Sequence, residues 1–387
     1  MIRFLTAGES HGPGLTGILE GMPAGLAISE AEIALDLARR QKGYGRGSRM
    51  KIEHDHAKIL GGVRYGKTLG APIALFIENR DWENWREKMS IADPGAEHQI
   101  EKLSNPRPGH ADFAGSIKYH QDDLRNVIER SSARETAMRV ALAAICRKFL
   151  SEFGIRVASH VVKIGGIEAK PLAKDVSLEE LFAQVEASPV RCADPVAEKK
   201  MIELIDQAVI NKDTVGGIFE VIIDGLPIGI GSFAHYDKRL DGILAQAMVS
   251  IHAMKGVEFG TGFGVANVFG SQVHDQLYSQ DQNIIRKTNN AGGTEGGMSN
   301  GERIVMRVAM KPLSSLMQPL DSVNLSTGEP VEALRERSDV CAVPAAGVVG
   351  EAMALLALMN PFLEKFGGDS MTEIHAHFKS TPESPWR

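Results

Sequence analysis

The chain has 387 residues and 41.9 kDa, enough for two or three domains of ~100–200 residues or for one large α/β unit. Apolar residues make up 43% and charged residues 24%, which excludes a disordered, collagen-like or coiled-coil chain. Lys plus Arg number 43 against 49 for Asp plus Glu, a formal charge of −6, so no broad attraction to nucleic acid or anionic membrane is expected and any anion site is local.

A short strand is expected over residues 2–7, followed by a glycine-interrupted stretch. Ser29-Glu30-Ala31-Glu32 is a Ser-x-x-Glu capping box and predicts a helix to about Lys42, with Ile33 and Leu37 on its apolar stripe and Gly43 as its stop. A second box, Ser132-Ala133-Arg134-Glu135, predicts a helix through Met138, Leu142, Ile145 and Phe149 that ends near Gly154. Strands are expected over 157–164 and 218–223, a third helix over about 240–255, and a fourth from about 348 to 366, bent or broken at Pro361. The run 340–359 is long enough to cross a bilayer, but Glu351 at its middle would cost ~2.5–3.5 kcal/mol there and Pro344 interrupts it, so a buried helix is expected. The polar stretch 168–213 is a candidate peripheral insertion in one continuous domain covering 1–387. Glu20-Gly21-Met22-Pro23-Ala24-Gly25 is echoed 204 residues later by Asp224-Gly225-Leu226-Pro227-Ile228-Gly229. Either a strand-turn-helix block has been duplicated or the same common turn chemistry occurs twice.

Three cysteines, Cys146, Cys192 and Cys341, are odd in number and widely spaced, which fits a reducing compartment. No signal-peptide pattern opens the sequence, and the cytoplasm is the expected address. Two His-x-His pairs, His54/His56 and His375/His377, lack a third ligand at metal spacing, so no metal site is expected.

The segment 39–51, RRQKGYGRGSRMK, places six cations and three glycines together without an acid. Arg forks and approachable backbone amides suit phosphate or carboxylate; the alternative for Arg39, Arg40 and Lys42 is complementing the negative end of the first helix, which Arg46 and Arg49 lie beyond. Arg130-Ser131-Ser132, with Arg134, leads into a predicted helix and forms a second candidate anion site, or an ordinary Ser cap. His11 and His110 lie in Gly/Pro-rich loops, where an accessible imidazole can exchange protons near neutral pH. The Gly-rich run 289–301 lacks the Gly-Lys-Ser/Thr of a phosphate-binding Walker loop. Lys311-Pro312-Leu313-Ser314-Ser315 and Arg337-Ser338-Asp339 add polar groups, with Asp339 a candidate base or a helix cap. Gly8-Glu9-Ser10-His11-Gly12 fits a nucleophile elbow, but Pro13-Gly14 forbids the helix that an elbow needs. Gly229–Ala234 fits only a loose dinucleotide fingerprint.

Together GESHG (8–12), RRQKGYGRGSRM (39–50), RPGHAD (107–112), ERSSARETAMR (129–139), SIHAMKGVEFG (250–260), NNAGGTEGGMSNG (289–301), KPLSS (311–315) and RSDVCAVPAA (337–346) resemble, in order and over nearly the whole chain, the chorismate synthase family. The resemblance implies an α/β (α+β) fold, a single-domain β-α-β sandwich with internal duplication, assembled as a homotetramer. It implies anti-1,4-elimination of phosphate from 5-enolpyruvylshikimate 3-phosphate to chorismate, dependent on reduced FMN, with NADPH or an external flavin reductase as the source of electrons. It assigns His11 and His110 as proton donors, to the leaving phosphate and to the reduced flavin, and Asp339 as the group that helps flavin N5 take up the substrate proton. Arg130, Ser131, Ser132, His252, Ala253, Gly297, Lys311, Pro312, Leu313, Ser314, Ser315 and Arg337 are implied to line the flavin. Arg40, Arg46, Arg49 and Arg134 fall on the substrate or nicotinamide side. Position 252 is His where relatives often carry Asn or Gln. A nicotinamide oxidoreductase and an RNA-binding module are weaker alternatives; the latter lacks stacking rings, since Tyr44 is the only one in the basic arm.

Overall fold

The computed structural model describes residues 1–47, 54–93, 95, 100–172, 176–281, 283–336 and 338–381. Arg49 and Arg337 lie outside the described residues. The first half of the chain runs β1 (Arg3–Ala7), β2 (Gly14–Glu20), α1 (Glu30–Gln41), β3 (Ala57–Gly61), a hairpin of β4 (Val63–Arg64) and β5 (Lys67–Thr68), β6 (Ile73–Glu78), α2 (Asp112–Tyr119), α3 (Arg125–Ser131) and α4 (Thr136–Ser151). The second half begins with β7 (Arg156–Ile164), β8 (Ile167–Glu168), α5 (Leu178–Ala187), α6 (Pro195–Ile210), β9 (Gly217–Asp224), α7 (Leu240–Val249), β10 (Met254–Phe259) and α8 (Gly270–Val273). It continues through hairpins β11 (Leu277–Gln280) with β12 (Asn283–Arg286) and β13 (Thr294–Glu295) with β14 (Met298–Ser299), then β15 (Ile304–Met310). A last hairpin, β16 (Asp321–Val323) with β17 (Pro330–Glu332), precedes α9 (Val343–Phe366) and α10 (Met371–Ser380).

Two antiparallel sheets, ordered β1-β2-β6-β3 and β10-β15-β9-β7-β8, enclose a layer of helices. Helix α4 touches β2, β6 and β7, α9 packs on β7 and β9, and α1 and α7 flank them. This is the expected β-α-β sandwich. Period-two alternation turns Ile304, Met306, Val308 and Met310 of β15 inward, where they join a hydrophobic core that includes Leu15, Leu75, Phe149 and Phe362.

The duplication is real and extends well beyond one turn. Pairing Leu15 with Ile77 in the first sheet corresponds to pairing Phe219 with Val308 in the second, under the offsets that carry β2 onto β9 and β6 onto β15. In the first half the Thr68 hydroxyl donates to Pro23 O and accepts from Leu26 N, while Gly25 N donates to Thr68 O. Ser299 makes the same three bonds with Pro227, Ile230 and Gly229. Gly21 and Gly225 have φ of +89° and +76°, and a Cβ there would lie 2.3 Å from Met1 O and 2.4 Å from Gly154 O, so both repeats require glycine at this turn. Where the first half has only the turn 8–13 between β1 and β2, the second inserts β8, α5 and α6 between β7 and β9.

Several expected boundaries need correction. The Ser29 box caps α1 as expected. The Ser132 box does not form: Ser132 accepts from Arg134 N in a 3₁₀ turn, Glu135 instead receives Thr6 Oγ1 and Arg139 Nε, and the helix proper starts at Thr136 and ends at Ser151. Helix α3, immediately before it, was not expected at all. The third helix stops at Val249, because Ala253 takes φ +67° and Met254 enters β10. The fourth starts at Val343, five residues early, since Pro344 sits in the first turn where no intrahelical N–H is needed, and it continues unbroken through Pro361 to Phe366.

Helix α9 is apolar and long enough to cross a membrane, yet it is the buried central helix. Glu351 at its middle is fully buried and accepts from Arg39 Nη1 and Nη2 (2.8 Å each), Arg147 Nη2 (2.8 Å), Arg191 Nη2 (3.2 Å) and Ser159 Oγ (2.6 Å). Asp36 bonds Arg39 and Arg147, and Glu186 bonds Arg39 and Arg191, so three cations meet three carboxylates. Burial works to raise the Glu351 pKa, but the arginines overcome it and hold it at about 2, below the ordinary 4.5. Glu351→Gln is therefore expected to lower the free energy of unfolding by ~3–5 kcal/mol by leaving buried guanidinium groups short of charge. Because the folded pKa is depressed, that contribution is complete above pH 4.5 and fades as pH falls toward 2. Melting temperatures of the two proteins should thus differ constantly at neutral pH and converge in acid; a gap that is the same in acid would contradict the assignment.

Candidate active site

The turn carrying GESHG joins β1 to β2, and buried Asn79 at the end of β6 clamps it by donating to Glu9 O (3.1 Å) and Gly12 O (2.8 Å). Glu129 on α3 holds the histidine of this turn twice: His11 N donates to Oε2 (2.8 Å), and Nδ1 lies 3.0 Å from both carboxylate oxygens. The Trp85 indole stacks on the same imidazole at 3.9 Å between centroids and 22° between planes. Burial pushes the Glu129 pKa up, but hydrogen bonds and charge from His11, then Arg125, hold it below the ordinary range. Arg130 donates to Thr6 O (2.8 Å) and Gly8 O (3.0 Å), and Ser132 Oγ bonds Ser10 Oγ (3.2 Å). Ser131 turns its hydroxyl back to Val127 O (2.8 Å).

Asn79 also accepts from Arg134 Nε (3.1 Å) and Nη2 (3.0 Å), which opens a basic wall. Arg134 pairs with buried Asp55. Arg40 donates to Thr136 Oγ1 (3.0 Å) and Ala133 O (2.9 Å), and its Nη1 stands 3.6 Å from Asp55 Oδ2. Arg46 Nε lies 3.1 Å from Asp339 Oδ2, and Gly47 N donates to Asp339 Oδ1 (2.7 Å). Burial lowers the Arg40 pKa to about 10; Asp55 opposes the shift, and Arg46 and Arg134 add to it. Among the described residues these three guanidinium groups pair with two carboxylates, Asp55 and Asp339.

The basic arm is more divided and better anchored than its composition suggests. Arg39 belongs to the Glu351 network, Arg40 is buried in the wall, and Tyr44 fixes the chain beyond by N–H to Pro189 O (2.8 Å) and hydroxyl to Asp206 Oδ1 (2.8 Å). Val340 N donates to Gly45 O (2.8 Å), so this stretch is docked against the approach to α9; Arg49 and Lys51 lie outside the described residues. Arg134, expected to reach an anion beside Arg130, turns instead into the interior toward Asp55 and Asn79.

A second imidazole–carboxylate pair stands on a separate wall. Fully buried Asp112 receives Arg107 Nε (2.8 Å) and pairs with His110 Nδ1; burial would raise its pKa, but His110 and Arg107 hold it below the ordinary range. Arg107 Nη1 donates to Ser315 Oγ (2.7 Å), Lys311 Nζ to Gly109 O (2.7 Å) and Lys311 N to Ala253 O (3.0 Å). RPGHAD, KPLSS and the 252–253 corner therefore meet. The Thr214 hydroxyl holds Leu313 O (2.7 Å). Among the described residues buried His252 Nδ1 has no hydrogen-bond partner. Burial lowers its pKa, Glu135 opposes this, and Arg139, His110 and Arg130 add to it.

The repeats explain this convergence. The C-terminal end of α1 meets the approach to α9 through Gly45 and Val340; equivalently, the end of α7 meets the start of α4 through Arg139 Nη1 and Ser250 O (3.3 Å). Glu129-Arg130-Ser131-Ser132 recurs 207 residues later as Glu336-Arg337-Ser338-Asp339, and Thr136 and Val343, the first residues of α4 and α9, have the same separation. Ser132 and Asp339 are thus counterparts. Gly297 does not join the others: it accepts from Leu240 N (2.8 Å) at the start of α7, one ten-residue helix and ~15 Å from the His252 end. Asp55, Asn79, Trp85, Arg107, Asp112 and Glu129 were not assigned from sequence. Of these, Arg107 and Asp112, which share the RPGHAD segment with His110, and Glu129, beside Arg130, carried a local signal.

A family model described as "Chorismate synthase" matches residues 2–363. Curated relatives named chorismate synthase include that of Syntrophotalea carbinolica, 54% identical over 387 residues with 99% of this chain and 98% of the relative covered. Another, from Geobacillus kaustophilus, is 55% identical over 375 residues, covering 96% of each. A solved structure described as a crystal structure of chorismate synthase is similar with a TM-score of 0.78 and 45% identity, over 98% of this chain and 96% of that one.

Asn79→Ala removes the clamp on the GESHG turn and two acceptor contacts of Arg134, leaving buried groups unsatisfied at ~1–3 kcal/mol. Hydrogen exchange at the Ser10 and Gly12 amides should accelerate while that of β15 is unchanged. Equal acceleration in both would show a global effect and no local clamp.

Proposed function

The chain belongs to the chorismate synthase family, carbon–oxygen lyases that release phosphate from 5-enolpyruvylshikimate 3-phosphate to give chorismate, and we propose how its own side chains divide that reaction. The observations that carry the proposal are two imidazole–carboxylate pairs, His11–Glu129 and His110–Asp112, and a wall built on Arg40, Arg46 and Arg134. An anti-1,4-elimination breaks the C–O bond to phosphate and removes a proton from the opposite face of the ring. The leaving group gains negative charge as it departs. Arg46 and Arg40 on the basic wall stabilise the substrate's phosphate and carboxylates. His11 shares its Nδ1 proton with Glu129, so Nε2 delivers a proton to the departing phosphate. Asp339, oriented by Gly47 N–H and Arg46, accepts the proton that the substrate loses.

The family requirement for a reduced flavin fits the residues here. Lys311 to Ser315, Ala253, Arg130 and Ser132 bring cations, hydroxyls and backbone groups together, and His252 Nδ1 supplies a buried polar atom that has no partner among the described residues. We assign these residues, with Ser131 and Arg337, to reduced FMN, which when bound supplies electron density that is returned within the cycle, so that no net oxidation occurs. With Nδ1 held by Asp112, His110 would serve the bound cofactor as a proton donor through Nε2. The remoteness of Gly297 from His252 supports a site completed by a second copy within a homotetramer. Three buried free thiols support a reducing, cytoplasmic setting. NADPH or an external flavin reductase would provide the reducing equivalents.

The test is anaerobic incubation with 5-enolpyruvylshikimate 3-phosphate and chemically reduced FMN, following phosphate release and chorismate absorbance. Phosphate and chorismate should appear together, and neither should form with oxidised FMN. Steady NADPH consumption without substrate would favour the oxidoreductase alternative. Arg46→Ala should weaken substrate capture roughly ten- to a hundredfold, the loss of a charge-assisted hydrogen bond, with FMN affinity retained; equal loss of both would refute its placement. His110→Ala should slow turnover by ~10²–10⁴-fold without lowering affinity for oxidised FMN. A variant with wild-type turnover would remove His110 from the mechanism.

A further inference from the structure

Glu129 is the carboxylate seated against the His11 imidazole, and its geometry defines what it does for that ring. Its side chain is 1% exposed. It accepts the His11 backbone N–H (2.8 Å) and stands 3.0 Å from Nδ1 through both oxygens, while Arg125 Nη1 lies 3.5 Å from Oε1 on the outer side. A carboxylate in this position can only accept, so it fixes the tautomer with hydrogen on Nδ1 and leaves proton exchange to Nε2. The backbone bond sets where the ring begins, and the Trp85 face at 3.9 Å sets its plane. The ring's position and plane are thereby defined before any ligand binds.

We propose that Glu129 is a positioning residue for His11, fixing the imidazole so that Nε2 faces the reaction and stabilising the imidazolium that donates to the leaving phosphate. The proposal rests on His11 being the donor. The charged groups around this ring among the described residues are Glu129 and Arg125 on α3, Lys88 beside the Trp85 ring, and Glu9 in the same turn. Of these, Glu129 bonds the imidazole and Arg125 ion-pairs with Glu129, so the two exert opposite effects on retention of the donor proton. Removing the Glu129 charge makes the proton easier to lose. Removing Arg125 leaves the whole Glu129 charge for the imidazole.

The experiment is single-turnover phosphate release across pH, with saturating prereduced FMN, for wild type, Glu129→Gln, Arg125→Gln and His11→Asn, alongside oxidised-FMN affinity and melting temperature. Glu129→Gln should be about ten- to a hundredfold slower, with its alkaline limb moved to lower pH by about one unit and its FMN affinity kept. Arg125→Gln should move the same limb to higher pH. A wild-type profile for Glu129→Gln beside a slow His11→Asn would overturn the positioning role. So would a loss uniform across pH, accompanied by weaker FMN binding and a lower melting temperature. Wild-type rates for His11→Asn would instead sink the donor assignment itself. Should Glu129→Gln fail to fold, Arg125→Gln decides: no upward movement of its limb refutes the proposal.

Discussion

The sandwich depends on how one carboxylate is neutralised in its middle layer. Glu351 lies at the centre of an otherwise apolar 24-residue helix, and a lone ionised carboxylate there would carry a desolvation cost of several kcal/mol. Arg39 arrives from α1, Arg147 from α4, Arg191 from the α5–α6 connection and Ser159 from β7. Each element must be in register for the charges to balance, so the network selects one packing of the two halves over near alternatives. It also consumes Arg39, which leaves Arg40, one residue on and turned by about 100° around the helix, for the basic wall.

That division explains what composition could and could not reveal about the site. The cation-rich arm was plain in the sequence, but six adjacent cations do not share one environment once a helix ends among them. Arg39 and Arg40 point to different sides of α1, and Arg46 is fixed by Asp339, almost three hundred residues away. Partners of that kind leave no local trace. His11 and His110 were legible because Gly and Pro isolate them, whereas the acids that orient them come from an unanticipated helix in one case and the next turn of chain in the other. The Ser132 box misled because Glu135 finds stronger partners in Thr6 and Arg139 than in the cap, a tertiary preference that overrides a local motif.

The spans of three strands followed more directly from sequence. Long apolar runs such as β7 and β9 are largely buried, and α1 keeps its capping box. The repeat was visible at first only as a six-residue turn. Its better signature, Glu-Arg-Ser before each long helix, is separated by a different offset from that of the turns, because the connections between elements differ in length in the two halves. A search at one fixed spacing therefore finds only a fragment of the duplication.

The correspondence of Ser132 with Asp339 has an evolutionary consequence. Were the halves separate identical chains paired about a true twofold axis, every substitution would appear on both sides, and a neutral hydroxyl could not face a carboxylate. Covalent fusion frees each copy to drift alone. One half can keep the short turn that presents an imidazole, while the other expands the same connection into two helices that brace Tyr44 and supply Arg191. An asymmetric reactant, which loses an anion from one carbon and a proton from another, calls for that broken symmetry.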